Sequence, residues 1–175
     1  DQTTKGPALV RRDIGSGYAW GFSKGFSISF FGIYRCRAVH AKRVQGGGYV
    51  GAFLSSDCPP SDFKSGTFTN PPIPKGSYFI AIGTVSGTIV INNPDGHKEE
   101  TPLRLEGLQG SVFEMEYRPE TGDFTYKAPW KGGYSQTVSM YGMNKPTQNQ
   151  LSKMKLHWVV SVFAAGTIFS FESHQ

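Results

Sequence analysis

Two cysteines, Cys36 and Cys58, are the only ones in the chain. A turn centred on Gly47 in Gln45-Gly46-Gly47-Gly48-Tyr49 sets residues whose numbers sum to 94 opposite each other, and Cys36 then faces Cys58 across a β-hairpin. A disulfide there would close a loop worth roughly 3 kcal/mol of stability and would place the protein in an oxidising compartment: secreted, periplasmic or on a cell surface. The four histidines, His40, His97, His157 and His174, have no zinc-ligand spacing to one another or to a cysteine, so no metal site is expected. No nucleophile elbow, phosphate loop or dinucleotide fingerprint occurs, and no bound cofactor is expected.

What remains is the chemistry of recognition. Trp130 lies in Ala128-Pro129-Trp130-Lys131-Gly132-Gly133-Tyr134, a segment with little apolar company. An indole there can stack on a sugar ring, with Lys131 and Tyr134 beside it to meet hydroxyls. Asn92, Asn93 and Asp95 occupy a second turn and supply further polar groups if the fold brings the two loops together.

A different chemistry starts at Glu114-Met115-Glu116. The stretch from Phe113 to Phe124, Phe-Glu-Met-Glu-Tyr-Arg-Pro-Glu-Thr-Gly-Asp-Phe, resembles the Glu-x-Glu turn of ADP-ribosylating toxins. Arg11 or Arg12 and Phe53-Leu54-Ser55-Ser56 stand in the order of that family's arginine and Ser-Thr-Ser strand, although the triplet is incomplete. The resemblance implies NAD as substrate. Glu116 would stabilise an oxocarbenium-like transition state, Glu114 would orient the nucleophile, and Arg12 and Ser55 would hold NAD. The competing reading is local: on one strand, Phe113, Met115 and Tyr117 face the core, and Glu114 and Glu116 face water.

The elements that must position these groups read as strands. The chain has 175 residues, enough for one domain spanning 1–175. Charged residues are 18%, and the 13 Phe, 8 Tyr, 22 Gly and 11 Pro favour strands and turns. Phe26-Ser27-Ile28-Ser29-Phe30 alternates cleanly. The cysteine hairpin is expected over 33–44 and 49–57, with Tyr34, Cys36, Ala38, Val44, Val50, Ala52 and Leu54 on the core side. Further strands are expected at 78–85, 87–92, 111–118, 123–127 and near 134–141. A last hairpin, 156–164 with 166–172, would turn at Ala164-Ala165-Gly166. Pro59 to Lys75 reads as a loop, and Pro146 to Lys155 holds the one short helix. The sum is an all-β chain of nine or ten strands: an antiparallel, jelly-roll-like β-sandwich, with a barrel as the alternative.

The formal net charge of +5 is modest, and its cations are scattered, so nucleic acid is not an expected partner. No apolar run reaches membrane-spanning length. The leading expectation is a secreted or surface-displayed domain that binds a glycan or host receptor, as an adhesin, lectin or toxin binding module does. An NAD-using ADP-ribosyltransferase chain is the alternative. A membrane-active β-sandwich is the third, suited by basic charge and exposed aromatics.

Overall fold

The computed structural model describes residues 3–4, 10–11, 19–42, 48–59, 73–102, 105, 111–128, 133–162 and 168–174. They form strands β1 (Thr3–Thr4), β2 (Val10–Arg11), β3 (Ala19–Phe22), β4 (Phe26–Ser27), β5 (Tyr34–Lys42), β6 (Gly48–Ser55) and β7 (Tyr78–Gly83). These continue as β8 (Ile89–Asn93), β9 (Gly96–Glu100), β10 (Val112–Arg118), β11 (Asp123–Ala128), β12 (Tyr134–Ser139), β13 (Lys155–Val162) and β14 (Ile168–His174). A single-turn helix, α1 (Gln148–Leu151), precedes β13 and is opened by a capping box between Thr147 and Gln150.

The strands make two antiparallel sheets, which confirms the sandwich and excludes the barrel. Sheet A runs β1-β14-β5-β10-β11-β12, with β2 also on β14; sheet B runs β3-β13-β6-β7-β8-β9, with β4 also on β13. Period-two alternation sets what each strand buries. On sheet A, Cys36, Ala38, Phe113, Met115, Tyr117, Phe124 and Tyr126 turn inward and are almost fully buried. They meet Val50, Ala52, Leu54, Ile80, Ile82, Ile89, Leu156 and Trp158 of sheet B. The other face of sheet B is also apolar: Trp20, Tyr49, Phe53, Phe79, Ala81, Val90 and Val159 form a second buried cluster. That is why β6 and β7 are buried on both faces and read as continuous apolar runs.

Two expected hairpins are overturned. β5 pairs with β14 and β10 in sheet A, whereas β6 pairs with β13 and β7 in sheet B. Residues Cys36 and Cys58 are free thiols, the first buried and the second exposed. The inward faces were assigned correctly on both strands, but they confront each other across the core instead of lying side by side. β13 and β14 repeat the pattern, one in each sheet. The Gly47 turn, Val44 and Ala164-Ala165-Gly166 lie outside the described residues.

The β10–β11 hairpin stands as expected, with Arg118 opposite Asp123 and Pro119-Glu120-Thr121-Gly122 between them. Its end is held from within. Tyr117 and Tyr141 share a hydroxyl hydrogen bond of 2.5 Å, and Tyr141 donates to Pro119 O at 2.7 Å. Burial pushes both phenols above their ordinary pKa, so both stay protonated donors.

Candidate functional site

Asn93-Pro94-Asp95-Gly96 does form a tight turn, between β8 and β9, with Asn93 opposite Gly96. Its Asn and Asp side chains serve the turn and its neighbour. Asn93 Oδ1 accepts from Asp95 N at 2.8 Å, the Asx arrangement these residues favour. Asn93 Nδ2 donates to Met140 O at 3.2 Å, and Asp95 accepts from Met143 N at 2.6 Å and from the Asn144 amide. Gly142, at φ +62°, lets the loop after β12 come this close; a Cβ there would collide with the Asp95 carboxylate. The turn therefore latches the edge of sheet B to the edge of sheet A.

Asn92 is not part of this latch. It points to the opposite face of β8, is buried, and lies 2.5 Å from His97 Nδ1. The expected pairing of this turn with Trp130 and Lys131 cannot be placed, because those two lie outside the described residues.

Among the described residues, the sandwich is open beyond the latch. A cleft of about 500 Å³ runs between edge strands β9 and β12. Ile91 and Val138 line it as apolar wall, and Asn93, Asp95, Lys98 and Glu100 as polar wall. Lys98 stands opposite Ile91 and Glu100 opposite Ile89, so both charged side chains are on the inward side of β9. Inward-pointing charge is a known guard against edge-to-edge pairing. Among the described residues, no hydrogen bond or ion pair engages either group. Met143, 94% exposed, forms the lip.

Tyr134 stands on the same face of β12 as Val138 and, like it, packs against the core. Its hydroxyl donates to Gln136 Oε1 at 2.5 Å, and Tyr126 donates to the same oxygen at 3.0 Å. The two rings lie 6.1 Å apart. Burial first, then Tyr134 and the charge of Glu100, push the Tyr126 hydroxyl above its ordinary range. An apolar wall, a carboxylate and an ammonium make a surface that can bind a polar ligand with an apolar face.

The NAD constellation does not come together in the described residues. Phe113, Met115 and Tyr117 are buried, Glu114 is exposed and Glu116 half-buried on the outer face of sheet A. Ser55 is buried in sheet B, its hydroxyl 2.6 Å from that of Ser77. Alternation along β6 turns it away from sheet A, so Ser55 and Glu116 stand on opposite sides of the sandwich. Arg12 lies outside the described residues.

Lys98, Glu100 and Gln136 were not foreseen. Gly96-His97-Lys98-Glu99-Glu100 has no apolar alternation and did not read as a strand. The available signal was the preceding Asn-Pro-Asp-Gly turn, which calls for a partner strand. Among the described residues no three His, Cys, Asp or Glu side chains cluster as a metal site would require, and no helix is long and apolar enough to cross a membrane.

No family model matches the sequence, and no curated protein matches it. Solved structures of the same architecture do match. The SPRY domain of human HERC1 superposes with a TM-score of 0.51 at 16% identity, over 89% of this chain and 82% of that one. Peanut lectin, solved with a 9-residue peptide, gives 0.51 at 10% identity over 98% and 91%. Lectin UEA-II complexed with galactose gives 0.50 at 12% identity over 99% and 93%. At such identities the likeness is one of fold: a lectin- and SPRY-like β-sandwich.

Proposed function

We propose that this chain is a ligand-binding domain that recognises a glycan or a cell-surface receptor, and that it works by binding and not by reaction. One observation carries the reading: Lys98 and Glu100 project into an open cleft whose floor is Ile91 and Val138. A sugar presents this mixture in reverse, an apolar ring face edged with hydroxyls that a carboxylate accepts from and an ammonium donates to. Trp130 and Lys131 lie shortly before β12 in sequence and stay in the proposal as candidate ligand contacts.

The fold neighbours support a recognition role without naming the ligand. Display outside the cell is part of the proposal too, but the disulfide no longer argues for it; it rests on the kind of ligand alone. An array of neutral and acidic glycans, probed with wild type, Glu100→Gln, Lys98→Ala and Trp130→Ala, tests the reading. We expect a bound glycan whose affinity falls about tenfold in Glu100→Gln, a loss of some 1.4 kcal/mol. An array without hits, or hits indifferent to all three substitutions, would sink it.

A further inference from the structure

The outer face of sheet A, remote from the cleft lining, carries its charges as a checkerboard. Glu114 stands between Arg37 of β5 and Lys127 of β11, and Glu116 between Arg35 and Thr125. Glu116 braces two arginines at once. Arg35 Nε donates to one carboxylate oxygen at 3.0 Å, and Arg118 Nε donates to the other at 3.1 Å. Both bonds consume Nε and leave the terminal Nη groups without a hydrogen bond among the described residues. The two side chains are 57% and 48% exposed. Beside them is a depression of about 200 Å³ lined by Arg35, Arg37, Glu114, Glu116, Thr125 and Lys127.

We propose that this depression is a binding site for a sugar carrying one oxyanion, carboxylate or sulfate. A guanidinium already held by a carboxylate loses less rotamer freedom when its Nη edge grips an oxyanion, and that edge matches the oxyanion's geometry. Lys127 adds a third cation within the depression. Glu114 and the Thr125 hydroxyl, itself 2.7 Å from that of Thr137, supply partners for sugar hydroxyls. The volume is below that of a drug-sized pocket and suits a single ring.

The carboxylates also select against a dense polyanion. A nucleic acid would press its phosphates against Glu114 and Glu116, and the lining of this depression offers no aromatic ring for base stacking. A sparsely charged sugar avoids both penalties. The site shares no residue with the cleft, so either proposal survives failure of the other.

Nitrogen-15 NMR titrations with methyl glucuronide, glucose 6-sulfate, glucose, inorganic sulfate and a single-stranded oligonucleotide provide the test. At least one acidic sugar is expected to bind and to shift the Nε–H signals of Arg35 and Arg118; the tighter of the two identifies the oxyanion. Arg35→Ala should weaken that binding about tenfold, and Glu100→Gln should leave it unchanged. Glu116→Ala is the sharper variant. It adds net positive charge, so plain electrostatics tightens binding, whereas loss of the brace weakens it; we expect weakening in a protein whose melting temperature shows it folded. Tighter binding in Glu116→Ala would overturn the proposal. So would glucose binding as well as the acidic sugars, inorganic sulfate alone binding as tightly as they do, or a preference for the oligonucleotide.

Discussion

Cys36 stands directly opposite Met115 on β10, inside sheet A, with Ser173 of β14 on its other side. Both of its neighbouring strands are thus occupied, and neither leads to Cys58, which follows β6 of sheet B. A thiol reagent added to the native protein should titrate one cysteine quickly, the exposed Cys58. The buried Cys36 should react only on unfolding, and reductant should leave the melting temperature where it is. Absence of any thiol in denaturant would restore the disulfide.

The Tyr117–Tyr141–Pro119 chain of hydrogen bonds closes the β10–β11 turn inside the core. In Tyr141→Phe the Pro119 carbonyl loses its donor and the Tyr117 hydroxyl its acceptor, both in a dry site. A loss of about 1–3 kcal/mol is expected from urea denaturation. A change below a few tenths of a kcal/mol would mean that the pair is dispensable.

Gly51 lies opposite Ala81 on the neighbouring strand β7, and a Cβ on it would collide with the Ile80 carbonyl. Backbone is the obstacle, so a rotamer change cannot relieve it. Gly51→Ala should cost at least the 1–3 kcal/mol typical of overpacking, or prevent folding altogether. An unchanged denaturation midpoint would contradict the approach of these two strands.

His157 packs against Phe22 and Phe53, and its Nδ1 lies 2.8 Å from Ser23 O. Burial, the largest influence, pulls its pKa below the ordinary 6.5, against the raising effect of the Ser23 carbonyl and with help from Lys155. The folded state therefore binds this proton less readily than the unfolded chain. Its contribution is intact above about pH 6.5 and is lost as pH falls through the lower, folded value. Stability should drop between pH 7.5 and pH 5, and His157→Gln should flatten that part of the profile. The same slope in wild type and variant would remove His157 as its cause.

The strand faces were legible because alternation is local. Cys36, Ala38, Val50, Ala52 and Leu54 all face the core as their spacing required, and Glu114 and Glu116 face outward for the same reason. The β10–β11 hairpin was legible too, since Pro119-Glu120-Thr121-Gly122 is a turn whose ends must pair. The cleft was half legible. Asn93 and Asp95 were marked as a turn, but their side chains bind the loop at Met140–Asn144, 45 and more residues later, which no local pattern announces.

The sequence by itself determined the inward faces of β5, β6 and β10 and an all-β chain, with a sandwich expected ahead of a barrel. Tertiary structure decided which strands are neighbours. β5 to β6 and β13 to β14 are short connections that look like hairpins, yet each passes from one sheet to the other. A five-residue link can reach a strand 5 Å away in the same sheet or one about 10 Å away across the core. The apolar face is buried equally well in both arrangements, so alternation cannot tell them apart. Only the competition among all the strands for partners selects one, and that selection separates Cys36 from Cys58 and brings β9 beside β12.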